Sequence, residues 1–186
     1  MRGSDVIAPP YDVVDAAQVA ALLDTSPYNI ALVESCPGEG DARYAAAADA
    51  LRAWETAGVL RRDSEPAYYA YEQRFALPGA ATGPGAPAAS TLTRRGFFAR
   101  LRLHPREDGI VRPHEATMSA AKEDRLRLLR ATRTNVSPIF AIYADTEGAA
   151  RALLETVAAE PPVFEARDAR GDEHRLWAIT DPARID

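Results

Sequence analysis

AYYAYEQRFAL (residues 67–77) and TLTRRGFFARLRL (residues 91–103) are two aromatic-rich runs with strand character, joined by PGAATGPGAPAAS (78–90), which is all Pro, Gly, Ala, Ser and Thr. Tyr and Phe favour extended backbone, and the joint offers no apolar anchor, so the three pieces read as a hairpin with a flexible tip. A second hairpin is expected at the end of the chain. Residues 163–167 and 174–180 read as its strands, turning at Arg170, Gly171 and Asp172. Strands next to strands, with helices between the pairs, predict an α+β fold: a mixed, largely antiparallel sheet with flanking helices.

Working outward, Asp15 stands where an N-cap belongs, ahead of a helix carrying Val19, Leu22 and Leu23 that stops before Pro27. Residues 28–34 form a short apolar run and read as a strand. Asp41 is expected to cap a second helix in which Tyr44, Ala47, Ala48, Leu51, Trp54 and Glu55 recur at helical spacing, and Gly58 sits at the position of a left-handed C-terminal cap. A charged helix is predicted over 119–134, a buried type of strand over 138–143, and an amphipathic helix over 146–160 ended by Pro161 and Pro162. Near the start, Pro9 and Pro10 hold residues 5–14 extended, as a rigid and ligand-accessible loop. Residues 1–186 read as one α+β unit.

Bulk properties narrow the function. With 27 acidic against 22 basic groups the net charge is −5, which disfavours a protein that coats nucleic acid. No run of eighteen apolar residues and no secretory pattern is readable, so no membrane partner is expected and the cytoplasm is the expected compartment. Cys36 is the single cysteine. It rules out an internal disulfide and any cysteine-based zinc knuckle, and fits a reducing environment. The three histidines, His104, His114 and His174, have no metal-ligand spacing, and no metal is expected. Neither a nucleophile elbow nor a phosphate-cradling glycine motif is present.

The densest polar cluster lies between residues 112 and 137. On a helix, Lys122, Leu126, Leu129 and Arg133 fall on one side with Arg125 nearby, so cations share the face that the leucines are expected to bury. A buried cation asks for a carboxylate or an anionic ligand, and the N-terminal turns of a helix favour an anion. The plain alternative is a solvated helix with Glu123 and Asp124 paired to Arg127 at i,i+4 and i,i+3. His114 is placed to act as a general acid or base near neutral pH, or else is a loop histidine bonded to backbone. His114 and Glu115, being adjacent, point in different directions and cannot act as a zinc-binding pair.

The stretches APPYDV (8–13), YN (28–29), LRAW (51–54), GVL (58–60), PHEAT (113–117), DRL (124–126), LRATRTN (129–135) and SPIF (137–140) together resemble the uncharacterised bacterial family called domain of unknown function 1015. The resemblance is to its amino-terminal half. Family members are about twice this length, and their later half carries a motif similar to that of ParB-like serine kinases. The resemblance therefore implies part of a nucleotide- or phosphate-binding enzyme, a kinase-like phosphotransferase in its full form, for which ATP with Mg2+ is the cofactor to consider. Carried over residue by residue, it gives His114, Glu115 and Asp12 as catalytic candidates. Pro10, Tyr11, Thr117, Asp124, Arg125, Arg133 and Asn135 become ligand-binding candidates, joined by Lys122 from the helix-face argument. The expected partners are an anionic small molecule and a missing carboxy-terminal half. Two other readings stand beside it: a non-catalytic module whose charged helix docks a protein, and an inactive fragment whose exposed core edge packs against the missing half.

Overall fold

The computed structural model describes residues 2–76, 91–114 and 118–184. Among these residues five α-helices, α1 (Ala16–Thr25), α2 (Ala31–Glu34), α3 (Ala42–Thr56), α4 (Ser119–Thr132) and α5 (Ala149–Val157), accompany four strands, β1 (Tyr68–Ala76), β2 (Thr91–Phe98), β3 (Phe164–Arg167) and β4 (Glu173–Ile179). The strands form one sheet in the order β2-β1-β4-β3, and every neighbouring pair is antiparallel. The α+β architecture expected from the sequence is therefore present. Both expected hairpins supply it, and the joint between β1 and β2 lies outside the described residues.

Two apolar clusters hold the chain. One is helical: Val33, Cys36, Tyr44, Ala47, Leu51, Trp54 and Leu128 bring α2, α3 and α4 together. Leu128 is 2% exposed, and burying one such side chain is worth about 2 kcal/mol. The other lies on the sheet, where Ala70 and Trp177, paired across β1 and β4, pack with Ile179 under Leu154 and Val157 of α5. The indole N–H of Trp177 is satisfied by the Glu160 carbonyl at 2.7 Å, just past the end of α5.

Local chemistry fixes the helix ends. Asp15 and Gln18 form a reciprocal capping box, with the Gln18 amide donating to Asp15 Oδ1 at 2.8 Å and the Asp15 amide to Gln18 Oε1 at 2.9 Å. Gly58 has φ +69°, and the amides of Val59 and Leu60 turn back to the Trp54 carbonyl, closing α3 as its position predicted. Asp145 accepts from the Ala150 and Arg151 amides at the start of α5.

The amino-terminal segment ties the two clusters together. The Asn29 side chain, fully buried, donates to the carbonyls of Asp5 at 3.0 Å and Ile7 at 2.9 Å, and accepts the Ala31 amide at 3.0 Å. On its other side, Ser4 Oγ accepts the Arg167 amide of β3 at 2.9 Å. Gly3 lies so close to β3 that an added Cβ would collide with the Glu165 carbonyl and come within 2.9 Å of the Phe164 ring.

Two elements differ from expectation. Residues 28–34 contain the helical turn α2 instead of a strand, because Ser26 Oγ and Asn29 Oδ1 take up the amides of Tyr28 and Ala31 and start a helix. A short apolar run has no period of its own, and local bonds from side chain to backbone decide it. Residues 138–143 form no strand, and Ile139 and Ile142 are 94% and 92% exposed. Among the described residues, no helix is long and apolar enough to cross a membrane.

Candidate functional site

The polar residues that the fold brings together centre on Asp124, on the inner side of α4. Its Oδ1 accepts the Tyr44 hydroxyl at 2.7 Å and is paired with the Arg43 guanidinium. Its Oδ2 accepts Arg125 Nε at 2.9 Å. Arg125 also donates through Nη1 to the Glu34 carbonyl at 2.9 Å, and its guanidinium lies 3.9 Å over the Tyr11 ring. A single carboxylate thus fastens α4 to α3 through Arg43 and Tyr44, while its neighbour Arg125 reaches α2 and the loop of Tyr11.

The electrostatics follow from this geometry. Burial acts to raise the Asp124 pKa, but the hydrogen bonds from Tyr44 and Arg125 and the charges of Arg125 and Arg43 outweigh it and hold the carboxyl below its usual range. Glu34 behaves in the opposite way. Its side chain is buried, and desolvation pushes its pKa up against the pull of the Ser137 hydrogen bond and the Arg125 charge, with Asp12 adding to the rise. Cys36, whose thiol donates to the Arg43 carbonyl at 2.8 Å, is likewise pushed up by burial. The surroundings of Asp124 thus favour its ionised form, whereas burial makes Glu34 hold its proton more tightly than an ordinary glutamate.

The sequence-derived candidates divide into three groups. Asp124, Arg125 and Tyr11 come together in the clamp, and Asp12 lies close enough to Glu34 to act on its charge. Pro10 is exposed, and its carbonyl accepts the Val13 amide at 3.0 Å to make a turn. Lys122, Arg133, Asn135 and His114 are exposed at the surface. Glu115 and Thr117 lie outside the described residues.

One expectation about α4 is reversed. Lys122, Leu126, Leu129 and Arg133 do share a side, but it faces outward: Leu126 and Leu129 are 38% and 39% exposed, and the residue sunk into the core is Leu128. The inner arc is Ala121, Asp124, Arg125 and Leu128, so the half-buried cation of this helix, Arg125, already has its carboxylate. Arg133 is the left-handed cap of the helix, at φ +55°, and borders a shallow depression with Leu129 and Arg130. Its charge at a helix C-terminus is favourable without any bound anion. Of the surface pairs expected, Arg127 with Glu123 is present at 2.9 Å; Asp124 turns inward instead, and Arg127 reaches Asp41 at 3.0 Å.

Sequence reasoning missed Arg43, Tyr44 and Glu34. Tyr44 was legible only as an apolar position of α3, and nothing local links residues 43 and 44 to a carboxylate some 80 positions away. A second polar group occupies the sheet, where buried Glu72 of β1 is flanked by Arg95 of β2 at 2.7 Å and Arg175 of β4 at 3.5 Å. Nearby, on the other face, His174 Nδ1 meets the Tyr71 hydroxyl at 2.7 Å. Among the described residues, no group of three or more His, Cys, Asp and Glu side chains is arranged to hold a metal ion.

No curated protein and no solved structure matches the chain. A family model does, over residues 2–186. That extent corrects two expectations at once: the likeness is not confined to an amino-terminal half of the family but runs along essentially the full chain, and the match gives no support to a missing carboxy-terminal half as a partner. Matched along this length, the chain belongs to the family described as "Protein of unknown function (DUF1015)".

Proposed function

We propose that this chain is a non-catalytic binding module of the cytoplasm whose outward face of α4 docks an acidic segment of a protein partner. The observation that carries this reading is the composition of that face. Leu126 and Leu129 stand 38% and 39% exposed among Lys122, Arg130 and Arg133. A helix turns leucines to water at a cost, and an apolar strip bordered by cations suits a partner that carries both an apolar side chain and carboxylates. The inner polar groups support the same conclusion by elimination: Asp124, Arg43, Tyr44 and Arg125 are satisfied by one another. A single buried cysteine suits the reducing cytoplasm.

A second reading keeps a phosphate-bearing small molecule, ATP with Mg2+ included, and with it the phosphotransferase idea. Its one supporting observation is the depression bordered by Arg130 and Arg133 beside Leu129. The depression is open, and the catalytic candidates His114 and Asp12 are exposed side chains.

The experiment is a fluorescence-anisotropy titration of a labelled peptide rich in Asp and Glu with one central Leu, run beside calorimetry with ATP, ADP and inorganic phosphate. The protein-docking reading expects peptide binding that weakens with salt and falls by about tenfold or more in the Arg130→Glu/Arg133→Glu variant. Binding of ATP or phosphate, lost in the same variant while the peptide fails to bind, selects the second reading. Peptide binding unaltered by the double reversal defeats the first.

A further inference from the structure

The two edges of the sheet are treated differently. At the β3 edge the amino-terminal turn is packed in place, with the Arg167 amide donating to Ser4 Oγ at 2.9 Å and Gly3 pressed against Glu165 and Phe164. At the other edge, among the described residues, β2 has β1 as its one strand neighbour. An open edge offers unpaired backbone N–H and C=O groups, and proteins commonly cover such edges.

Residues 138–143 run beside that edge. The Arg94 guanidinium lies 5.2 Å from the centroid of Phe140, and the rings of Phe97 and Tyr143 are 5.5 Å apart. In both contacts the residue numbers differ by 46, so the segment advances in the same direction as β2 and at the same rate. Strand alternation adds a second agreement. Arg94 and Phe97, three residues apart, project from opposite faces of β2, and Phe140 and Tyr143 would do the same in an extended segment. Parallel neighbours need a crossover of a dozen residues or more, commonly carrying a helix, and the connection from Phe98 to Pro138 carries α4. The composition PIFAIY suits a strand, yet Ile139 and Ile142 remain 94% and 92% exposed with no ladder formed.

We propose that residues 138–143 are a strap poised to close on β2 as a fifth, parallel strand, with Phe140 opposite Arg94 and Tyr143 opposite Phe97. Closure in that register sets Ile142 opposite Gly96, where a side chain at the glycine would meet nothing within 4 Å, leaving room for the isoleucine. Closing covers the β2 edge and shelters the apolar segment. Opening frees both the edge and the isoleucines for an extended partner segment, so the strap sets whether the sheet can accept another strand. The proposal stands apart from the α4 docking face and does not require it.

Engineered cysteines test the register. Gly96→Cys with Ile142→Cys places the pair opposite and on one face; Gly96→Cys with Ala141→Cys shifts the partner by one residue, onto the other face. Cys36 is buried, so mild oxidation reads the new pair. The 96/142 variant is expected to cross-link about tenfold faster or more than the 96/141 variant, because a disulfide demands closely placed Cβ atoms. Equal rates in the two variants, or no cross-link in the first, overturn the strap. Hydrogen exchange on the unaltered chain gives an independent reading: alternate amides within residues 139–143, those turned toward β2, are expected to exchange about tenfold or more slower than free peptide. Exchange at the free-peptide rate rules out closure.

Discussion

Ser137 donates its hydroxyl to the carboxylate of Glu34, joining the segment after α4 to the short helix α2. The bond favours the ionised form of Glu34, but it does not win. Burial raises its pKa, and the hydrogen bond and Arg125 only partly oppose the rise.

Glu34 therefore predicts a pH dependence of stated sign. A carboxyl whose folded pKa lies above its unfolded value of about 4.3 contributes fully below that value, and the contribution is lost as pH rises through the folded pKa. Glu34→Gln, which keeps an acceptor for Ser137, is expected to stabilise the chain at pH 7 by on the order of 1 kcal/mol. The gain should vanish near pH 4 in melting curves recorded across pH.

Asp124 predicts the reverse. Its pKa is held low, so its contribution is present above the ordinary aspartate value of about 3.9 and is lost as pH falls through the lowered one. Asp124→Asn leaves two guanidinium groups without their carboxylate and is expected to cost about 1–3 kcal/mol at pH 7 by urea unfolding. The deficit should shrink toward pH 2.

Asn29 joins three backbone groups at once in a site closed to solvent. Asn29→Ala strands the carbonyls of Asp5 and Ile7 and the amide of Ala31, a loss of about 3 kcal/mol in chemical denaturation. Because the amino-terminal segment also covers β3, hydrogen exchange should quicken at Arg167 in this variant.

Two glycines separate backbone strain from collision. Gly58→Ala meets no neighbour and is expected to cost about 1 kcal/mol for holding alanine at positive φ. Gly3→Ala drives a methyl group into the Glu165 carbonyl and the Phe164 ring, so the amino-terminal turn must lift from β3. The Arg167 amide then loses Ser4, visible as faster exchange there than in Gly58→Ala.

The parts of the fold legible in the sequence were those with a period and punctuation of their own. β1 and β2, β3 and β4, and α3 with Gly58 each carry a local pattern and a local stop. Residues 28–34 were misread because a few apolar residues fit strand and helix alike until Ser26 and Asn29 bind the amides of Tyr28 and Ala31. For α4, periodicity identified which residues share an arc, but both arcs mix leucine with charge, and the choice between them belongs to Arg43 and Tyr44 on α3. The candidate site was legible as a segment of charge; its inside and outside were settled only by distant partners.

The most direct measurement is amide chemical-shift mapping of the chain as an acidic, leucine-bearing peptide is titrated in. Selective, saturable shifts at Lys122, Leu126, Leu129, Arg130 and Arg133, with Tyr44, Asp124 and Arg125 unmoved, are the predicted result. Shifts centred on Tyr11, Asp12 and Arg125, or none along α4, would contradict an outward docking face.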